Sequence, residues 1–205
     1  MLKYVHMIYI FQIIVLVFSA IAHEYMHGWM AYRLGDSTAK DAGRLTFNPL
    51  VHLELFGSFL LPLLLFATGM PFIFGWAKPV PYNPNNLRDR KYGDAKVALA
   101  GPLTNFIIAL FFGLFLRLFP VASLTFVGLI SIIIYINLVL MIFNLLPIPP
   151  LDGSKILAAF LPANLRERFL NSEKYGLILV ILFVMLAGSA LIPVVGFLYR
   201  IITGY

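Results

Sequence analysis

His23 and His27 stand four residues apart, with Glu24 beside the first. On a helix this spacing sets two imidazoles one turn apart on one face, and the adjacent glutamate can take a proton from water. Two ring nitrogens so placed suit a zinc ion, and Glu24 suits a general base acting on the water that the ion activates. In a soluble helix such histidines are often only buried and hydrogen-bonded. Here the motif directly follows an apolar stretch, Ile8 to Ala22, inside a run from about His6 to Leu34 that is long enough to cross a bilayer. Ionisable side chains are costly at that depth, so three together imply chemistry with water inside the membrane.

A catalytic zinc takes three protein ligands and keeps one position for water, so a third ligand must come from elsewhere. The candidates are His6, His52, Glu54, Asp152 and a histidine of a partner. His6 lies about 25 Å from His23 along the helix and is too far. His52 and Glu54 sit in the following loop, and distance does not remove them. Asp152 is the best candidate. It closes the stretch Asn144-Leu145-Leu146-Pro147-Ile148-Pro149-Pro150-Leu151-Asp152-Gly153, where proline breaks an apolar helix. Broken membrane helices that end in a carboxylate commonly build ion sites. Asp152 also fits the N-cap of a short helix over 153–160, and the two roles are compatible.

The elements that must carry these groups are membrane elements. The chain has 205 residues, 61% of them hydrophobic and 12% charged, with mean hydropathy +0.92. That composition excludes a soluble domain and suits one integral membrane domain over 1–205, an all-α polytopic fold. The first apolar run continues past any cleavage-site length, so it reads as a span rather than a removable signal. No cysteine is present, so no disulfide forms. The net charge of +6 fits basic loops at anionic lipid, with no nucleic acid as partner.

Further apolar runs cover Leu55 to Phe74, Gly101 to about Leu118, Leu124 to Leu146 and Tyr175 to about Ile202. Gly101-Pro102 reads as a helix start, because proline is favoured in a first turn. The run 55–74 carries Gly57, Pro62, Gly69 and Pro71 and reads as a re-entrant element rather than a crossing. With that element, segments 33–54, 75–96 and 152–174 share one side. They hold Arg33, Lys40, Arg44, Lys78, Arg88, Arg90, Lys91, Lys96, Lys155, Arg166, Arg168 and Lys174, twelve of the fifteen basic residues. The positive-inside rule makes that side cytoplasmic. The expectation is four full transmembrane helices, a core over about 8–160, a last helix over 175–202 and both termini outside.

In order along the chain, His23-Glu24-x-x-His27, Gly101-Pro102-Leu103-Thr104-Asn105 and Asn144 to Gly153 resemble the site-2 protease family of intramembrane zinc metalloproteases. Gly43-Arg44-Leu45-Thr46-Phe47-Asn48-Pro49 and Gly75-Trp76-Ala77-Lys78-Pro79-Val80 resemble its compact prokaryotic branch, which lacks PDZ and CBS domains. The resemblance covers about residues 8 to 160. It implies one zinc held by His23, His27 and Asp152, with Glu24 as base, and it points Asn144 into the site. An amide there can hold the scissile peptide or its oxyanion. The expected activity is an endopeptidase of regulated intramembrane proteolysis. It would cut transmembrane protein substrates near the cytoplasmic face of a prokaryotic plasma membrane. The oligomeric state is not read from sequence. A metal transporter or sensor with the same ligands, and a catalytically silent scaffold, are the rival classes. A transporter calls for a polar path through the bilayer, and a scaffold has no use for Glu24.

Other residues carry weaker expectations. Asn105 reads as a residue that positions a core helix or substrate, and Ser19 as lining a path for water. Arg44 to Phe47 has modest strand character and is a candidate small β element on the cytoplasmic side, an edge for an extended substrate. Trp76 and Tyr82 read as headgroup anchors, and Lys78 with Arg88-Asp89-Arg90-Lys91 as a lipid-facing basic loop.

Overall fold

The computed structural model describes residues 2–54, 60, 64, 78–119 and 123–204. Helix α1, Leu2–Arg33, carries the histidine motif. No proline interrupts it. Its end is set by Gly35 at φ 111°, with the Asp36 N–H donating back to the Ala31 carbonyl at 2.9 Å. Two short helices follow, α2 at Thr38–Asp41 and α3 at Pro49–His52. Asn48 caps α3 by accepting the Leu50 N–H at 3.1 Å, with Pro49 in the first turn.

Helix α4, Gly93–Leu118, begins eight residues before the start expected at Gly101, and Pro102 lies inside it. Asp89 is the reason. Its carboxylate accepts the N–H groups of Tyr92 at 2.9 Å and Lys91 at 3.1 Å, which starts the helix within a stretch that reads as polar loop. Ala95, Val97 and Ala98 are then buried, while Lys96 turns outward to Asp89. Helix α5, Leu124–Asn144, is capped by Ser123. A turn with a cis Pro149–Pro150 peptide leads to α6, Asp152–Ala158. Gly153 is required there, because a Cβ on it would lie 2.1 Å from the Leu145 carbonyl oxygen.

The rest is α7 at Ala163–Leu170, a 3-10 turn at Asn171–Tyr175, α8 at Gly176–Ala187, a second 3-10 turn at Gly188–Ala190 and α9 at Leu191–Thr203. The run expected as one helix over 175–202 is therefore interrupted. Among the described residues, four helical segments are long and apolar enough to cross a membrane: 6–33, 93–118, 124–144 and 163–203. A core shared by the last three joins Ala109 and Leu116 of α4, Ile134 and Leu138 of α5, and Val195 and Ile202 of α9.

The re-entrant element expected over 55–74 lies outside the described residues, apart from Leu60 and Leu64. Its flanks meet, for the Lys78 N–H donates to the His52 carbonyl at 2.8 Å. No strand occurs among the described residues, and Arg44 to Phe47 is loop. Arg44 turns inward at 7% exposure and donates to the Lys78 carbonyl at 2.8 Å. Pro79 and Pro81 beside it have no N–H to offer a ladder.

One carboxylate ties the loops above the site together. Asp36 is fully buried. Its Oδ1 accepts from the Thr38 hydroxyl at 2.6 Å and from Asn86 Nδ2 at 2.8 Å, and its Oδ2 accepts the Asn83 N–H at 2.7 Å. Burial by itself raises the pKa of this acid. The donors from Thr38, Asn83 and Asn86 outweigh it and hold the group below its ordinary value. The folded-state value is depressed, so the stabilisation is present above the unfolded value near about 3.9 and is lost as pH falls through the folded value. Asp36→Ala is expected to cost about 3 kcal/mol, because it strands these donors. Thermal unfolding in detergent checks this. The gap between wild type and variant is widest at pH 7 and narrows progressively as pH falls below about 4.

Candidate metal centre

The site lies where α1, α4 and the α5–α6 turn meet. His23 and His27 are about 15 and 9 Å from the C-terminal end of α1, at 1.5 Å per residue. Asp152 is the first residue of α6, and its carboxylate is turned to α1 rather than to the helix's own N–H groups. Its Oδ2 lies 3.1 Å from His23 Nε2 and 3.3 Å from His27 Nε2. All three side chains are buried.

The other ring nitrogens are committed. His27 Nδ1 is 2.7 Å from the Val97 carbonyl oxygen, and His23 Nδ1 is 2.6 Å from Asn105 Oδ1. A carbonyl only accepts, so His27 Nδ1 carries the proton and the neutral ring presents a lone pair at Nε2. Lone pairs then face Asp152 Oδ2 at contact distance, and a cation or a proton has to lie among them.

The donor set fits zinc. Tetrahedral bonds of about 2.0–2.1 Å separate neighbouring ligand atoms by about 3.4 Å. The distances from Asp152 Oδ2 to the two nitrogens are close to that. Gly101 of α4 leaves the room. A Cβ there would lie 2.5 Å from His27 Nε2 and 2.6 Å from His23 Nε2. One oxygen of Glu24 and one nitrogen of each histidine also lie within 4.8 Å of one another. Glu24 is held differently from Asp152, because its Oε2 accepts the Val80 N–H at 2.8 Å.

Glu24, Asn144, Tyr82 and Lys155 line the same cavity as His23, His27 and Asp152. Asn144 Nδ2 donates to the Leu140 carbonyl at 2.9 Å. The remaining ligand candidates do not join them. His52 is buried at the end of α3 with Nε2 donating to the Thr46 carbonyl at 2.8 Å, and His6 is exposed far up α1. Glu54 lies on the loop side and does not line the cavity.

Comparison with known proteins gives the family. A model described as peptidase family M50 matches residues 119–189. YwhC of Bacillus subtilis (strain 168), named as a candidate zinc metalloprotease, is 39% identical over 189 residues, covering 87% of this chain and 82% of YwhC. The chain belongs to peptidase family M50. Rip2 of Mycolicibacterium smegmatis, named in the same way, is 30% identical over 80% of this chain, and the match spans 62% of Rip2. No solved structure matches.

For this M50 chain, sequence reasoning missed two neighbours of the site. Tyr82, expected beside Trp76 at the headgroups, is the first. It lines the cavity, donates its hydroxyl proton to Asp94 and lies under the Lys155 ammonium at 5.0 Å. Burial and then the Asp94 carboxylate push its pKa up, so it stays a neutral donor. Trp76, its expected companion, lies outside the described residues. Val80 is the second. Between Pro79 and Pro81 it owns the one backbone N–H of the three residues, and Glu24 takes it. The Pro-x-Pro pattern is the available signal. Arg88, Arg90 and Lys91 of the basic loop are exposed.

Proposed function

We propose that this M50 chain is an intramembrane zinc endopeptidase in which His23, His27 and Asp152 hold one zinc ion and Glu24 is the general base. The observation that carries the reading is the convergence of two Nε2 atoms and one carboxylate oxygen beside Gly101, with a second carboxylate in the same cavity. Zinc, when bound, supplies Lewis acidity for water activation and for the charge that develops on the scissile carbonyl. Glu24 takes the proton from the attacking water and delivers it to the leaving amine. The Val80 N–H keeps one of its oxygens fixed and leaves the other for this transfer. Asn144 offers an amide to the scissile peptide or its oxyanion.

The substrates are transmembrane proteins, cut near the cytoplasmic face of a prokaryotic plasma membrane. The site's place near the α1 end that carries Arg33 supports that side, since the loops there hold most of the basic residues. The cavity of about 150 Å³ supports cleavage of locally unwound chain. An intact helix is about 10 Å across and would not enter it. Residues 1–205 act as one domain, with α9 packed on α4 and α5 behind the site.

The test uses purified protein in detergent with a fluorescent transmembrane peptide. Hydrolysis is expected to stop with a zinc chelator and to return when stoichiometric zinc is restored. Hydrolysis that survives complete zinc removal contradicts the reading.

A further inference from the structure

A line of buried amides runs from α5 through α4 to His23, and its direction is fixed from outside. Asn137 Nδ2 donates to the Ile133 carbonyl and to Ser19 Oγ, both at 2.9 Å. Asn137 Oδ1 accepts from Asn105 Nδ2 at 2.9 Å. Asn105 Nδ2 also donates to the Ser19 carbonyl at 3.3 Å, and Asn105 Oδ1 faces His23 Nδ1 at 2.6 Å. Both asparagines are fully buried and Ser19 nearly so. Each amide therefore spends both N–H bonds and its oxygen.

Two members of this line are backbone carbonyls, Ile133 and Ser19, and these only accept. The amide nitrogens must face them. A flipped Asn105 would set its oxygen against the Ser19 carbonyl and against Asn137 Oδ1. Both amides are fully buried, so bulk solvent does not relieve two such repulsions. Asn105 therefore presents its oxygen to His23 and nothing else, and His23 Nδ1 must be the donor.

We propose that Asn105, oriented by Asn137 and Ser19, is a positioning residue that locks His23 in the Nδ1–H tautomer and so aims the Nε2 lone pair at the zinc. The proposal rests on the zinc reading above. Histidine ligands depend on such partners for ring orientation and basicity. His27 needs no amide for this, because the Val97 carbonyl does the same task directly. The two histidines of the motif are thus fixed by different means, and the His23 arrangement is the one that joins three membrane helices.

The test measures Zn²⁺ affinity of metal-stripped protein in detergent by competition with a chromophoric chelator, alongside thermal unfolding of the same stripped samples. Asn105→Leu removes the acceptor and is expected to weaken Zn²⁺ binding by about ten- to a hundredfold. Asn105→Asp keeps an acceptor for Nδ1–H but loses both donations. It is expected to unfold at lower temperature while Zn²⁺ affinity stays within a few-fold of wild type, as marked by about threefold or less. Equal losses of affinity in the two variants, following their loss of stability, would overturn the proposal in favour of a bond that merely joins helices. So would unchanged affinity in Asn105→Leu. Wild-type protein that takes up no Zn²⁺ would sink the zinc reading itself, a result distinct from either.

Discussion

Gly101→Ala is expected to empty the metal site while leaving the helices in place. The added methyl would lie 2.5 Å from His27 Nε2 and 2.6 Å from His23 Nε2. No real pair of atoms tolerates that approach, so either α4 or the rings must move. The rings cannot turn cheaply, because both Nδ1 atoms are held, at 2.7 Å by the Val97 carbonyl and at 2.6 Å by Asn105. Withdrawing either ring breaks one of those bonds and leaves a buried partner, the Val97 carbonyl or Asn105, unsatisfied. Alanine is the better helix former by about 1 kcal/mol, so α4 itself gains. The expected outcome is a loss of zinc affinity of about a hundredfold or more, with hydrolysis lost in parallel and helical circular dichroism unchanged. Metal analysis after dialysis against limiting zinc reads it. A fully loaded and active Gly101→Ala protein would mean that the ion lies away from the two Nε2 atoms.

Glu24→Gln separates base from ligand. Glutamine has the same shape, and its carbonyl oxygen still accepts the Val80 N–H that Glu24 accepts at 2.8 Å. The extended segment over the cavity therefore stays. What goes is the proton acceptor, and hydrolysis should fall by about 10²–10⁴. Zinc content should remain at the wild-type level, because Asp152, not Glu24, is in contact with both Nε2 atoms. Loss of zinc together with activity would move Glu24 into the ligand set, which its closeness to both histidines makes a real alternative.

These variants also mark how far the sequence is legible. His23, Glu24 and His27 can be read because helical spacing alone puts them together. Asp152 stands out as a carboxylate beside a proline break in apolar surroundings, but an N-cap for the next short helix fits the same pattern, and only the fold brings it to both histidines. Asn144 follows from the same stretch, and it does line the cavity. The four segments among the described residues that are long and apolar enough to cross a membrane follow from apolar length. Gly101 was legible only as punctuation, since a missing Cβ has meaning only when the facing residue is known, and His23 is 78 positions away (101 less 23). The true start of α4 was hidden because Asp89, Asp94 and Lys96 give its first turns a loop-like composition, while the face with Ala95, Val97 and Ala98 is buried. The strand expected at Arg44 to Phe47 is loop because the neighbouring segment carries Pro79 and Pro81, and a ladder depends on a partner that local propensity does not reveal. Asn137 reads as an isolated polar residue in an apolar helix. Only the meeting of α1, α4 and α5 connects it to His23.

The central claim is that one zinc ion joins α1 to the head of α6. The most direct measurement is the zinc content of purified Asp152→Ala, set beside His52→Ala as a control from the loop. The account predicts about one zinc per chain in wild type and in His52→Ala, and a loss of nearly all of it in Asp152→Ala. Full zinc and undiminished hydrolysis in Asp152→Ala would contradict it.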